Sequence, residues 1–282
     1  KTGEARAGIT RALAQDWLPA DHPLRQALDQ IRALHGPQAY PGSPLIARYF
    51  LRPEDEAHLA ELHPAEHDAL ARVGGFAHLH RQDGFDMAQA LCPPTPRRGL
   101  LLIDPSYEIK TDYQTIPGQI AKLARKWNVG VIALWFPILT DDRQAGMVAA
   151  LGREHPDALL SQVRFPPARP GHGMVGSGMF VINPPYGLAD EARRIEVELA
   201  VEPVLTTLQE VGALLLQCMC GLFLNVQPCP RSQSLKALRP MRIERSPPRR
   251  STISFSVMSW RSSVSPTMKA SCASRRDARH RP

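Results

Sequence analysis

No run of eighteen apolar residues occurs in the 282-residue chain, so no transmembrane helix is expected. The opening residues, Lys1 to Arg11, are polar and charged and lack the apolar centre of a secretory signal. Paired cysteines are missing as well. Cys92, Cys218, Cys220, Cys229 and Cys272 are scattered and odd in number, without Cys-x-x-Cys spacing. That excludes a disulfide framework and predicts a reducing compartment, with Cys218-Met219-Cys220 as apolar filler. No metal site is expected: His63 and His67 stand four apart, but Pro64 lies between them and no third ligand is near. Acidic residues are scarce in one region only. Residues 227–282 hold 13 Lys/Arg against 2 Asp/Glu, while residues 1–226 carry a net charge of −4. The overall charge of +7 therefore belongs to the tail, and it does not make the whole chain a basic nucleic-acid binder.

What the chain does contain is organised around Gly99-Leu100-Leu101-Leu102-Ile103-Asp104-Pro105-Ser106-Tyr107. Four consecutive large apolar residues predict a strand buried on both faces, as in a parallel sheet. Pro105 cannot donate to a sheet ladder, so the strand must end near Asp104. A carboxylate and a phenol ring are thereby set at the carboxyl end of a central strand, where open α/β sheets bind ligands.

Around this strand, helical and strand patterns alternate. Leu24, Leu28, Ile31 and Leu34 repeat at helical spacing, with Asp21 as candidate N-cap and Gly36-Pro37 as the stop. Tyr40 to Pro44 is a turn-rich loop leading into a helix over 45–50. A strand is predicted over 56–62, with an acid, Glu61, near its end. A helix over 65–73, a weak strand over 77–81 and a short helix over 87–91 follow. After the central strand, residues 108–113 read as an active-site loop, and 116–127 as a helix with Ile120, Leu123 and Trp127 on one face. A second buried strand covers 128–137, and Asp141 or Asp142 would cap the next helix. Strands over 162–165 and 177–182 precede a helix over 193–215. Beyond about Val226 periodicity fails, and Ser, Arg and Pro dominate. Such a composition buries too little apolar surface to offset chain entropy, which predicts disorder. The stretch is either a basic tail for RNA phosphates or, as favoured here, sequence unrelated to the core.

Taken together, these segments resemble the RlmJ family of 23S ribosomal RNA adenine-N6 methyltransferases. The carrying stretches are Tyr40-Pro41-Gly42-Ser43-Pro44-Leu45-Ile46-Ala47-Arg48, Glu61-Leu62-His63-Pro64, Asp83-Gly84-Phe85, Arg97 through Tyr113, and Gly176-Ser177-Gly178-Met179 through Tyr186. The resemblance runs from Thr2 to about Leu216. It implies an α/β fold, a Rossmann-like class I methyltransferase with a small inserted helical subdomain. Residues 1–40 would be that subdomain, 41–216 a partial methyltransferase domain, and 217–282 a basic tail. It also implies S-adenosylmethionine as co-substrate, 23S ribosomal RNA free of ribosomal proteins as partner, a monomer and a cytoplasmic location.

By the same resemblance, Asp104 is the catalytic residue and also lies at the donor, Ser43 lies in the donor site and Glu61 takes the donor ribose. Asp83 and Gly84 hold the donor adenine, while Pro105, Tyr107 and Lys110 meet the substrate base, Tyr107 by stacking. Asn183-Pro184-Pro185-Tyr186 resembles the later, non-catalytic copy of the Asp104 tetrad. Two departures stand out. The family's N-terminal basic segment and Gly-rich loop, which hold the methionine half of the donor, have no counterpart here, so the chain reads as truncated and weak donor binding is expected. Ser106 also replaces a proline that stiffens the family's tetrad. The alternatives are an inactive methyltransferase remnant and an RNA-binding protein without catalysis.

Overall fold

The computed structural model describes residues 16–37, 41–107, 111–164 and 173–201, the single residues 13, 39, 109 and 171, and the backbone of 254–259. Of 198–201 only the backbone is described. Helix α1 (Pro23–His35) and α2 (Ser43–Phe50) lead into an alternation of strands and helices: β1 (Glu56–Glu61), α3 (Pro64–Val73), β2 (His78–His80), α4 (Gly84–Leu91), β3 (Gly99–Asp104), α5 (Asp112–Lys126), β4 (Val131–Leu139), α6 (Ala145–Glu154) and β5 (Leu159–Arg164). Strand β6 (Met174–Ile182), helix α7 (Leu188–Val201) and strand β7 (Ser254–Ser259) complete the described elements.

The seven strands form one sheet in the order β2-β1-β7-β3-β4-β6-β5. β1 to β5 share one direction; β6 runs against β4 and β5, and β7 runs against both β1 and β3. β3 is buried along Gly99 to Ile103, as its unbroken apolar run requires. Successive side chains alternate between the two faces of the sheet. Leu100 and Leu102 join a cluster with Leu24 and Leu28 of α1, Ile46 and Ala47 of α2, and Leu188 and Ile195 of α7. Leu101 and Ile103 join Met87 of α4, Ile116, Ile120 and Leu123 of α5, and Met147 and Leu151 of α6. The result is helices on both faces of a mostly parallel sheet. At Gly178 the ring of Phe136 lies where a side chain would go; a Cβ there would fall 2.2 Å from Cζ.

Several expectations shift. Asp21 does not cap α1: His22 does, its Nδ1 accepting from the Leu24 N–H at 3.1 Å. The cap of α6 is Gln144 rather than Asp141 or Asp142. α7 begins at Leu188, five residues before Arg193, and its predicted extension to 215 lies outside the described residues. α1 shares its core with α2, α7 and the sheet, so residues 23–35 are not a separate packing unit. The reading of 217–282 as a tail without order fails at 254–259, which form the strand between β1 and β3. The alternation Ser-Phe-Ser-Val-Met-Ser is a period-2 pattern, hidden by the Arg- and Pro-rich sequence around it.

Candidate functional site

Because β1 to β4 run the same way, their carboxyl ends share one edge of the sheet, and the residues that follow them meet there. β3 stops at Asp104, where Pro105 can no longer donate to the ladder. The backbone then turns through Tyr107 at φ 55, a left-handed conformation that costs a non-glycine residue about 1 kcal/mol. Tyr107 is held there by its own side chain. Its hydroxyl donates to the Trp135 carbonyl at 2.7 Å, and its ring stacks on Tyr113 with centroids 4.9 Å apart. Burial raises the Asp104 carboxyl to about 7, so near neutrality it exists as both acid and carboxylate.

β1 ends at Glu61, whose residue is only 2% exposed. Burial raises its pKa, opposed by the hydrogen bond that Oε1 accepts from the His63 N–H at 2.7 Å. After β2, Asp83 caps α4; its Oδ1 accepts from the N–H groups of Phe85 at 2.7 Å and Asp86 at 3.2 Å. Gly84 is buried behind it. Asp112, at the start of α5, is raised first by burial and then by the nearby charge of Asp83, which shows that the loops after β2 and β3 lie close together. Tyr113 is pushed up to about 12, chiefly by burial.

Three side-chain atoms at this edge are buried without a hydrogen-bond partner among the described residues: His63 Nδ1, Asp112 Oδ2 and Tyr113 Oη. Each such atom costs about 1–3 kcal/mol if left unpaired. Their position after β1 and β3, beside Glu61, Asp83 and Asp104, fits a ligand rich in hydroxyl and amino groups. The sequence placed Asp112 and Tyr113 in the loop over 108–113 without a specific role, and His63 was weighed only as a metal ligand; the available signal was a polar residue within the first positions after a strand.

The structure thus brings Glu61, Asp83, Gly84, Asp104, Pro105 and Tyr107 to one edge. Ser43 is the first residue of α2, half-buried, on the helix that packs through Ile46 and Ala47 against the Leu100 side of the sheet. Tyr40, Glu108 and Lys110 lie outside the described residues. The expected stacking of a base on Tyr107 does not match this conformation: the residue is 7% exposed, with one ring face on Tyr113 and its hydroxyl engaged. Its visible work is to hold the turn after Asp104. Among the described residues no three His, Cys, Asp or Glu side chains are grouped to hold a metal ion. No helix among them is long and apolar enough to cross a membrane.

The second tetrad sits elsewhere. β6 is antiparallel to β4, and Ile182 pairs with Ile132 at the start of β4. Asn183 is therefore at the edge opposite to Asp104. There its Nδ2 donates to the carbonyls of Gly130 at 2.8 Å and Asn128 at 3.1 Å, pinning the turn before β4.

A sequence profile described as Ribosomal RNA large subunit methyltransferase D, RlmJ, matches residues 1–207. Ribosomal RNA large subunit methyltransferase J of Escherichia coli (strain K12) is 37% identical over 202 residues, covering 69% of this chain and 71% of the relative. The protein of the same name from Haemophilus influenzae is 34% identical over 205 residues, covering 69% and 72%. A crystal structure of a protein from Legionella pneumophila str. Philadelphia 1 aligns with a TM-score of 0.64 at 30% identity, over 72% of this chain and 78% of that one. With a family profile spanning most of the chain and relatives above 30% identity over two thirds of their own length, the chain belongs to the RlmJ family of ribosomal RNA large subunit methyltransferases.

Proposed function

We propose that this chain transfers a methyl group from S-adenosylmethionine to the N6 amino group of an adenine in 23S ribosomal RNA. The observation that carries the reading is Asp104, a half-buried carboxyl raised to about 7 at the carboxyl end of the central strand, followed by Pro105. An adenine amino group is a poor nucleophile because its lone pair is delocalised into the ring. The Asp104 carboxylate and a backbone carbonyl next to Pro105 can accept its two N–H bonds. That draws the nitrogen toward tetrahedral geometry and aims the lone pair at the methyl. The bound donor supplies an electrophilic methyl on a sulfonium. In this reading Glu61 accepts the two ribose hydroxyls, Asp83 and Gly84 hold the donor adenine, and Ser43 lines the donor site. Pro105, Tyr107 and Lys110 border the base, with Tyr107 fixing the turn.

The finer architecture of this reading is a Rossmann-like class I methyltransferase, acting as a monomer in the cytoplasm on RNA free of ribosomal proteins. The Asn183 tetrad supports the fold and takes no part in the chemistry, in keeping with its opposite edge. Calorimetric titration with S-adenosylmethionine tests the donor half. Glu61→Gln should weaken binding at least tenfold, because a neutral amide replaces the acceptor of two hydroxyls. Equal affinities of variant and parent would remove Glu61 from the donor site.

A further inference from the structure

Two motifs that the proposed chemistry leaves unused meet at the edge where β3 and β4 begin, opposite Asp104. Arg97 and Arg98 lead into β3, and Asn183-Pro184-Pro185-Tyr186 follows β6. Asn128, in the turn before β4, joins them. Its side-chain oxygen accepts from the Arg97 guanidinium at 3.3 Å, and its carbonyl accepts from Asn183 at 3.1 Å. Asn183 also bonds the carbonyl of Gly130, so it grips the residues on either side of Val129. Val129 and Tyr186 therefore lie on turns clamped to each other. Both side chains are exposed, Tyr186 completely. A large aromatic without packing is the informative exception on a protein surface.

The same edge is cationic. Arg97 and Arg98 are exposed, as are Lys122, Arg125 and Lys126 near the end of α5. The Arg97 guanidinium also donates to the Lys126 carbonyl at 3.3 Å, so the loop before β3 and the end of α5 form one surface. Arg125 pairs with Glu154 of α6 at 3.3 Å, and Asp190 of α7 is taken by Arg193. Among the described residues no acid pairs with Arg97, Arg98, Lys122 or Lys126. Residues 1–226 carry a net charge of −4, so this local excess runs against the charge of the core. Cations beside an exposed aromatic suit unpaired RNA: phosphates take the charge and a base takes the ring face. Val129 and Tyr186 alone are too little apolar surface for a standard protein interface. β3 spans six residues at about 3.3 Å each, which sets this edge roughly 20 Å from Asp104. We propose that it is a second RNA contact, in which Arg97, Arg98, Lys122 and Lys126 hold phosphates of an unpaired stretch away from the target adenine, and Tyr186 stacks on one of its bases. The proposal rests on the functional reading above for the identity of the RNA, though not for the surface itself.

The side chains of Arg98, Lys122 and Tyr186 make no hydrogen bond or ion pair among the described residues, so replacing them removes no support from the fold. The first probe is an oligouridylate of about twenty nucleotides, which offers phosphates and bases but no adenine for the Asp104 site. In the full chain, Arg98→Ala combined with Lys122→Ala should lower the slope of log affinity against log salt by about 0.7 for each cation removed. Tyr186→Ala should weaken binding about tenfold, and Tyr186→Trp should restore it. Residues 227–282 bring cations of their own, so each variant is read against the parent. The second probe is unmodified 23S RNA: the same alanine variants should raise its KM at least tenfold and hold kcat within threefold. Unchanged binding and KM would overturn the proposal. A fall in kcat as large as the rise in KM would place these residues in the chemical step and overturn a separate contact. A parent dimer that Tyr186→Ala separates would assign the edge to a second copy of the chain and overturn it as well. If the parent binds oligouridylate with these dependences but transfers no methyl, the contact stands and the methyltransferase reading fails.

Discussion

At the residue scale the proposed chemistry rests on Asp104, whose environment makes a two-sided prediction. Its folded pKa of about 7 stands above the usual carboxyl value near 3.9, so the folded state holds the proton more tightly than the unfolded chain does. The contribution to stability is intact below about pH 4 and declines as pH rises toward 7. Asp104→Asn should therefore raise the melting temperature at pH 8 and leave it nearly unchanged at pH 4, while abolishing methyl transfer. In the proposed reaction the carboxylate is the active form, so the turnover number of the parent should fall about tenfold per pH unit below about 7. A rate flat between pH 5.5 and 8 would show that Asp104 does not titrate in the rate-limiting step. Tyr107 and Asn183 share a left-handed backbone, at φ 55 and 53, yet they do opposite work. One holds the turn beside Asp104; the other fastens a turn at the far edge.

Among the elements, the strongest sequence patterns were the most legible. The Leu100–Ile103 run and the stretch over 128–137 foretold β3 and most of β4, because strands buried on both faces leave unbroken apolar runs. Direction was not legible. The two tetrads look alike in sequence, and only the antiparallel course of β6 separates their edges. Caps were read less well, because neither His nor Gln is a favoured N-cap type: His22 caps through its ring Nδ1, and Gln144 stands at the cap position without a side-chain cap hydrogen bond. His22 also contacts Glu191 of α7 at 3.2 Å, while Arg194 donates to both Glu191 and the Trp17 carbonyl. Burial alone would raise Glu191, but Arg194 and His22 bring it down to about 2. That group joins the region before α1 to α7. Glu191→Ala should destabilise the chain by about 2 kcal/mol near neutral pH, read by urea unfolding, since it leaves Arg194 half-buried without its carboxylate. A loss below about 0.5 kcal/mol would mean that apolar packing of Leu24 and Leu188 suffices.

For the molecule as a whole, family membership was legible as a set of short motifs in order, although none of them decides alone. The contribution of 254–259 was not, since no local pattern announces which distant strands a segment will join. In the proposed reaction the end of β3 activates an adenine amino group for methylation. The most direct test is the initial rate of tritiated methyl transfer from near-saturating S-adenosylmethionine to unmodified 23S RNA. It should be run for the parent, Asp104→Ala and Asn183→Ala, with the product nucleoside identified. The account predicts N6-methyladenine from the parent, a rate at least a thousandfold lower for Asp104→Ala with RNA affinity within threefold, and little change for Asn183→Ala. A parent without transfer, or an Asp104→Ala variant that keeps near-full turnover while Asn183→Ala is inactive, would contradict it.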